Sequence, residues 1–221
     1  DRVSRGLGDV YKRQILAGPD ASDPLTLPES GEQFLDALVP AQIDNNHPIK
    51  VAVSEDLGTL PVNPEVRSII QNTAKVFSDL GAEVVLDHPN LAGAMEVFQT
   101  QRAAGLRTLG RSLDSTLPRW RDDAKDTAIW NIERGFALTP DQLLDSELQR
   151  TKIYAEVAEF FQNYDVLALP AAQVPPFSID QEWVTQIDGV DLDTYIDWMA
   201  VCCMITAVSY THLRAHETLD H

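Results

Sequence analysis

One strand–helix–strand unit constrains this chain more than any other stretch of it. Ile49-Lys-Val-Ala-Val53 reads as a short strand. A helix follows, with Asn63 as N-cap, Pro64 at the first helical position and Glu65 in the first turn. Its apolar stripe is Val66, Ile69, Ile70, Phe77 and Leu80, at helical spacings of three and four, and Gly81 ends it. Glu83 to Leu86 is a second strand. A helix between two such strands implies parallel pairing with a right-handed crossover. Parallel sheets need cover on both faces, so the class is α/β.

The rest of the chain must supply that cover. Ile15 to Gly18 resembles the last turn of a helix, stopped by Gly18-Pro19. Residues 19–48 are rich in Pro, Asp and Ser and read as a covering loop, with one turn of helix at Glu32–Leu38. Leu91–Gly135 reads as several helices with short breaks. Thr139-Pro-Asp-Gln142 is a capping-box start for a helix that runs to about Gln162. Asp165-Val-Leu-Ala-Leu169 is an apolar strand of the kind buried on both faces. Residues 170–189 read as a loop and Asp193–Thr206 as a helix. Strands are few, so the parallel pair has scarcely any partners.

Composition narrows the function classes. The 17 basic residues are set against 34 acidic ones, a net charge of −17, which argues against nucleic acid, whose binding needs Lys and Arg on phosphates. No apolar run approaches the ~20 residues of a membrane span. The cysteines, Cys202 and Cys203, are adjacent and make no disulfide framework. The first residues carry no signal-peptide pattern. The chain is therefore expected in a reducing compartment, the cytoplasm.

Both ends read as foreign. Back-translated, Ser4-Arg-Gly-Leu-Gly-Asp-Val-Tyr-Lys-Arg-Gln14 is encoded by DNA whose complementary strand, in a shifted frame, reads as Val208 to Glu217. The shared segment resembles a transposase-end sequencing adapter. Residues 1–14 and 207–221 are then adapter-derived, and the native stretch is 15–206. The exclusion removes a metal-like pattern at His212, His216 and Glu217. The trimmed chain keeps the acidity and only His47 and His88.

No complete catalytic constellation stands in the remainder. His47 and His88 each precede a proline and read as loop histidines. Ser54-Glu55-Asp56 sits at the carboxyl end of a strand, where open sheets bind ligands, although a solvated strand exit is the plainer reading. Cys202-Cys203 lies in an apolar helix and reads as core. Glu29–Glu32 and Asp141–Glu147 read as solvated faces. Trp130 and Trp198 stand as pocket-lining candidates beside a core reading.

Taken together, the segments resemble the amidase signature family of serine hydrolases. Ile15-Leu-Ala-Gly-Pro-Asp-Ala-Ser-Asp-Pro24 is similar to the helix end and Asp-Pro loop that follow the family's catalytic segment. Ile49-Lys-Val-Ala-Val-Ser-Glu-Asp56 with Asn63-Pro-Glu-Val66 resembles the next strand and helix. Trp130-Asn-Ile-Glu-Arg-Gly135, Tyr164-Asp-Val-Leu-Ala-Leu-Pro170 and Val174-Pro-Pro-Phe177 resemble later markers. Asp197-Trp-Met-Ala200 and Met204-Ile-Thr206 resemble the helix before the family's Thr-Gly-x-Pro-Ala segment.

The resemblance implies part of an amidase-signature domain, a mixed sheet core covered by helices, as a helix-rich fragment of about two fifths. The family hydrolyses carboxamides with a Ser–Ser–Lys triad and a backbone oxyanion hole, without metal or cofactor. It places all of these upstream of Ile15, so no catalytic residue is assigned here and the fragment is expected to be inactive. The loop after Leu169 and the Asp193–Thr206 helix should approach the acyl pocket, with Trp130, Asn131 and Asp197 as pocket candidates. The implied partner is a small-molecule amide. Burial per residue should be poor and the isolated chain prone to a molten state. Two other readings stand: a small acidic α/β binding module, and the A subunit of a tRNA-dependent amidotransferase.

Overall fold

The computed structural model describes residues 19–22, 26 and 48–208. The chain divides into two units, 1–47 and 48–221. In the first, Asp20 accepts hydrogen bonds from the Ser22 backbone N–H (2.8 Å) and hydroxyl (2.7 Å), a local turn of the kind an Asp-rich loop predicts. The turn read at Glu32–Leu38, the helix end at 15–18, His47, the foreign-looking head at 1–14 and the tail beyond Val208 lie outside the described residues.

The second unit is built on the predicted strand–helix–strand. Strand β1 (Lys50–Val53) pairs in parallel with β2 (Glu83–Leu86), and α1 (Pro64–Asp79) connects them. The Asn63 side chain accepts the Glu65 N–H at 2.9 Å, the cap that its position predicts. Next come α2 (Ala94–Thr116), the short α3 (Trp120–Asp123), α4 (Asp126–Ala137) and α5 (Pro140–Phe160). Thr139 and Gln142 form the predicted capping box at the start of α5.

Strand β3 (Val166–Ala168) pairs in parallel with the other edge of β1, giving the order β2-β1-β3. It is the strand expected at Asp165–Leu169, and its pairing with β1 is what the sequence does not show. Its register is pinned at one end by Asp165, whose N–H donates to the Lys50 carbonyl (2.9 Å) and whose carboxylate accepts the Lys50 N–H (2.8 Å). At the other end, the Ser54 N–H donates to the Ala168 carbonyl at 2.9 Å.

Two expectations are corrected downstream. Residues 170–189 are not all loop: β4 (Gln186–Ile187) and β5 (Val190–Asp191) form a small antiparallel hairpin. Asp188 and Gly189 turn it with φ of 49° and 79°, the two positive angles a type I′ turn needs. Two-residue strands are too short to show alternation, so only Asp-Gly marked it. The helix read over Asp193–Thr206 starts late. A 3₁₀ turn covers Asp197–Met199 and α6 runs from Ala200 to Ala207. Before it, the Thr194 N–H donates to the Asp197 carboxylate (2.6 Å) and the Thr194 hydroxyl accepts the Ile196 N–H (3.3 Å). Such local side-chain bonds compete with helix. Val208, just past α6, is fully buried.

The core has two sides. On one, Val51 and Val53 of β1 pack with Ile70 of α1, and Phe77 and Val84 lie partly buried against them. On the other, Ala52 and Leu167 pack with residues from α2, α5 and α6, among them Val97, Ile153, Val157, Val201 and Met204. The α1 stripe is only half covered: Val66 and Ile70 are buried, but Ile69 is 55% and Leu80 63% exposed. One helix on a three-stranded sheet presents a stripe wider than the surface beneath it. Helices α2 and α4 approach closely through glycines. A Cβ on Gly135 would lie 2.2 Å from the Ala103 carbonyl oxygen, and one on Gly110 2.5 Å from Ile132.

Candidate functional site

The carboxyl end of the sheet carries Ser54-Glu55-Asp56, and the structure gives these residues local work. The buried Ser54 hydroxyl accepts the Leu57 N–H at 2.9 Å, and Asp56 accepts the Gly58 N–H at 2.8 Å. These bonds hold a tight exit in which Leu57 and Gly58 have φ of 51° and 82°. Arg67 of α1 pairs with Asp56 (2.9 Å) and Glu55 (3.4 Å), and these bonds raise its already high pKa further. The His88 ring lies against Gly58, where a Cβ would stand 2.4 Å from its Nε2. His88 Nδ1 is 3.1 Å from the Pro89 carbonyl, so the ring is a packed loop residue. Beside it, the Tyr164 hydroxyl donates to Asp87 at 2.7 Å. That bond, with the His88 N–H, lowers the Asp87 pKa, and it raises that of Tyr164.

Gln173, in the loop after β3, is fully buried and joins three segments. Its amide donates to the Pro61 carbonyl (2.9 Å) and accepts the Val201 N–H of α6 (3.1 Å). Its backbone accepts the Asn63 N–H (2.8 Å) and donates to the Trp198 carbonyl (3.3 Å). The post-β3 loop and α6 therefore meet. No sequence signal marked Gln173, because each of its partners is distant in the chain.

A second cluster brings two of the three pocket candidates, Trp130 and Asn131, together around Tyr195. Asn131 of α4 is buried and its amide is fully engaged. Its oxygen accepts from Arg102 of α2, and its nitrogen donates to the Thr127 carbonyl (2.6 Å) and the Tyr195 hydroxyl (2.6 Å). Arg102 also donates to the Tyr195 hydroxyl at 2.7 Å. The Trp130 ring meets Tyr195 edge-on at 6.2 Å, and Arg134 lies over Trp130 at 4.8 Å. Asp197 sits two residues beyond Tyr195, holding the Thr194 N–H. Trp198 stacks edge-on with Phe177 at 5.3 Å. Sequence reading named Trp130 and Asn131 but missed Arg102 and Tyr195, the residues that bind them together.

The adjacent thiols differ. Cys203 is buried and Cys202 exposed, with the Cys202 thiol 3.1 Å from the Met199 carbonyl. A hydrogen bond from the Cys203 thiol lowers the Cys202 pKa to about 7, while the same bond and burial push Cys203 up. Among the described residues, no three His, Cys, Asp or Glu side chains gather as a metal site, and no helix is long and apolar enough to cross a membrane.

A family model described as Amidase matches residues 13–218, and the chain belongs to the amidase family. That range takes in two residues of the foreign-looking head and twelve of the tail. An acylamidase of Rhodococcus erythropolis is 25% identical over 202 residues, which is 89% of this chain and 41% of the relative. An amidase of Pseudomonas putida is 25% identical over 181 residues, 80% of this chain and 36% of the relative. The chain thus spans about two fifths of the curated relatives it matches. A bacterial aryl acylamidase of the amidase signature family shares the fold with a TM-score of 0.69 at 22% identity, over 86% of this chain and 40% of that one. A 6-aminohexanoate cyclic dimer hydrolase shares it with a TM-score of 0.66 at 15% identity, over 86% and 42%.

Proposed function

We propose that this chain is the later part of a hydrolase that cleaves carboxamide C–N bonds. The observation that carries the reading is the family match over 13–218 by a chain covering only 41% of its acylamidase relative. In this reading residues 15–206 are the native part, and the Ser–Ser–Lys triad lies upstream of Ile15. The nucleophilic Ser attacks the amide carbonyl, the middle Ser passes its proton toward a neutral Lys, and backbone N–H groups hold the oxyanion. The substrate class is a small acyl amide, as the names of the relatives suggest, and the cytoplasm is its compartment.

The Tyr195 cluster is assigned to the wall of the acyl pocket. Its support is geometric: Asn131 and Arg102 fix Tyr195, Trp130 stands at its ring, and Asp197 follows on the same turn. The test is to recover the gene upstream of codon 15 and assay both proteins on a 4-nitroanilide amide. The longer protein should turn it over, and the 221-residue chain should not. Turnover by the shorter chain, or an upstream sequence with no Lys and paired serines, overturns the reading.

A further inference from the structure

A cavity of about 500 Å³ lies between the first turn of α2 and the early turns of α5, and none of Trp130, Asn131 or Asp197 lines it. Its walls include Gly93, Glu96, Thr100, Asp145, Ser146 and Gln149. The 23-residue α2 has Gly93 at its N-cap, with φ of 84° and no side-chain cap. The Ala94 N–H is taken by the Leu91 carbonyl (2.9 Å), and the N–H groups that follow it in the first turn have no side-chain cap and carry the positive end of the helix dipole. Ser146 is an independent observation. It is only 7% exposed, it lines the cavity, and its hydroxyl has no hydrogen-bond partner. A buried hydroxyl is nearly always paired, and a helical serine ordinarily bonds a carbonyl one turn back. Beside these donors, Glu96 in the same first turn of α2 and Asp145 next to Ser146 bring two carboxylates to the walls.

These walls make two demands at once. The helix start and the Ser146 hydroxyl call for an acceptor, while the two carboxylates call for a cation. A simple anion is repelled by Glu96 and Asp145, and a simple cation leaves the donors unmet. We propose that this cavity binds a small zwitterionic aminocarboxylate, its carboxylate at the start of α2 and Ser146 and its ammonium at Glu96 and Asp145. The site is independent of amide hydrolysis.

The test is calorimetric titration of the full-length gene product with glycine, β-alanine, 4-aminobutyrate and 6-aminohexanoate, beside acetate and butylamine as single-ended probes. One aminocarboxylate should bind saturably and at least about tenfold more tightly than either single-ended probe. Ser146→Ala should weaken it about fivefold, the worth of one hydrogen bond. Glu96→Gln, a change at an exposed position that leaves the fold intact, should weaken it at least as much. The proposal is overturned if no aminocarboxylate binds, if acetate binds as tightly, or if Glu96→Gln leaves the affinity unchanged. Amide turnover is measured on the same samples, so loss of binding and loss of the hydrolase reading are told apart.

Discussion

The two faces of β1 are alternate residues of one short strand in opposite circumstances. Toward α2, α5 and α6, Ala52 lies in a continuous buried cluster that draws on all three of those helices. Toward α1, Val51 and Val53 meet only Ile70 among fully buried residues, and the flanks of the helix stand open. A strand can thus be fully buried on both sides while only one side is a core of any depth. The difference teaches that buried area at the strand does not measure how firmly the covering layer is held.

Several substitutions would break or sharpen that contrast. One of the two largest effects should come from Gly135→Ala, where the new Cβ meets the Ala103 carbonyl at 2.2 Å and backbone must move. About 3 kcal/mol of destabilisation is expected in urea melts. Ile153→Ala on the deep face should cost about 3 kcal/mol, Ile70→Ala on the α1 face about 2, and Ile69→Ala, 55% exposed, within about 0.5. Equal losses at Ile153 and Ile70 would erase the distinction between the faces. Native-state hydrogen exchange should show α1 opening before α2 and α5. Protection of α1 equal to that of α5 would also count against it.

Smaller effects follow from the titrating groups. Iodoacetamide should label Cys202 before Cys203, with half-maximal rate near pH 7, and Cys203→Ala should move that midpoint upward. Asp87 is held below its ordinary pKa by Tyr164, so its contribution is present above about pH 4 and is lost as pH falls through its folded value. Tyr164 is held above its ordinary pKa, so its share is present below about pH 10 and is lost as pH rises through its folded value. Tyr164→Phe should flatten both ends of the stability–pH curve, read by thermal melts from pH 3 to 11.

What was legible in the sequence was what is local. Asn63, Pro64 and the Thr139–Gln142 box announce helix starts because the cap and the capped groups lie within one turn. The apolar run at Val166–Ala168 announced a buried strand, but its pairing with β1 depends on a residue 115 positions away. The same reason hid Arg102 and Tyr195, whose bond spans 93 positions. Ile69 and Leu80 were read as inward because periodicity reports a face and not the extent of what covers it. Gly135 closes the Trp130–Gly135 motif, yet only the crossing with α2 reveals why a side chain is excluded there.

Gln173 carries a consequence for anyone who would reshape this protein. Its buried amide ties the segment at Pro61, the loop after β3 and the start of α6 into one body. Displacing any one of the three strands a buried donor or acceptor, at a cost of roughly 1–3 kcal/mol. A library that randomised the 170–177 loop alone would therefore be mostly lost to misfolding. One that kept Gln173 and varied its neighbours in the loop would leave the knot tied, because the partners at Pro61, Trp198 and Val201 are backbone groups that any side chain leaves in place.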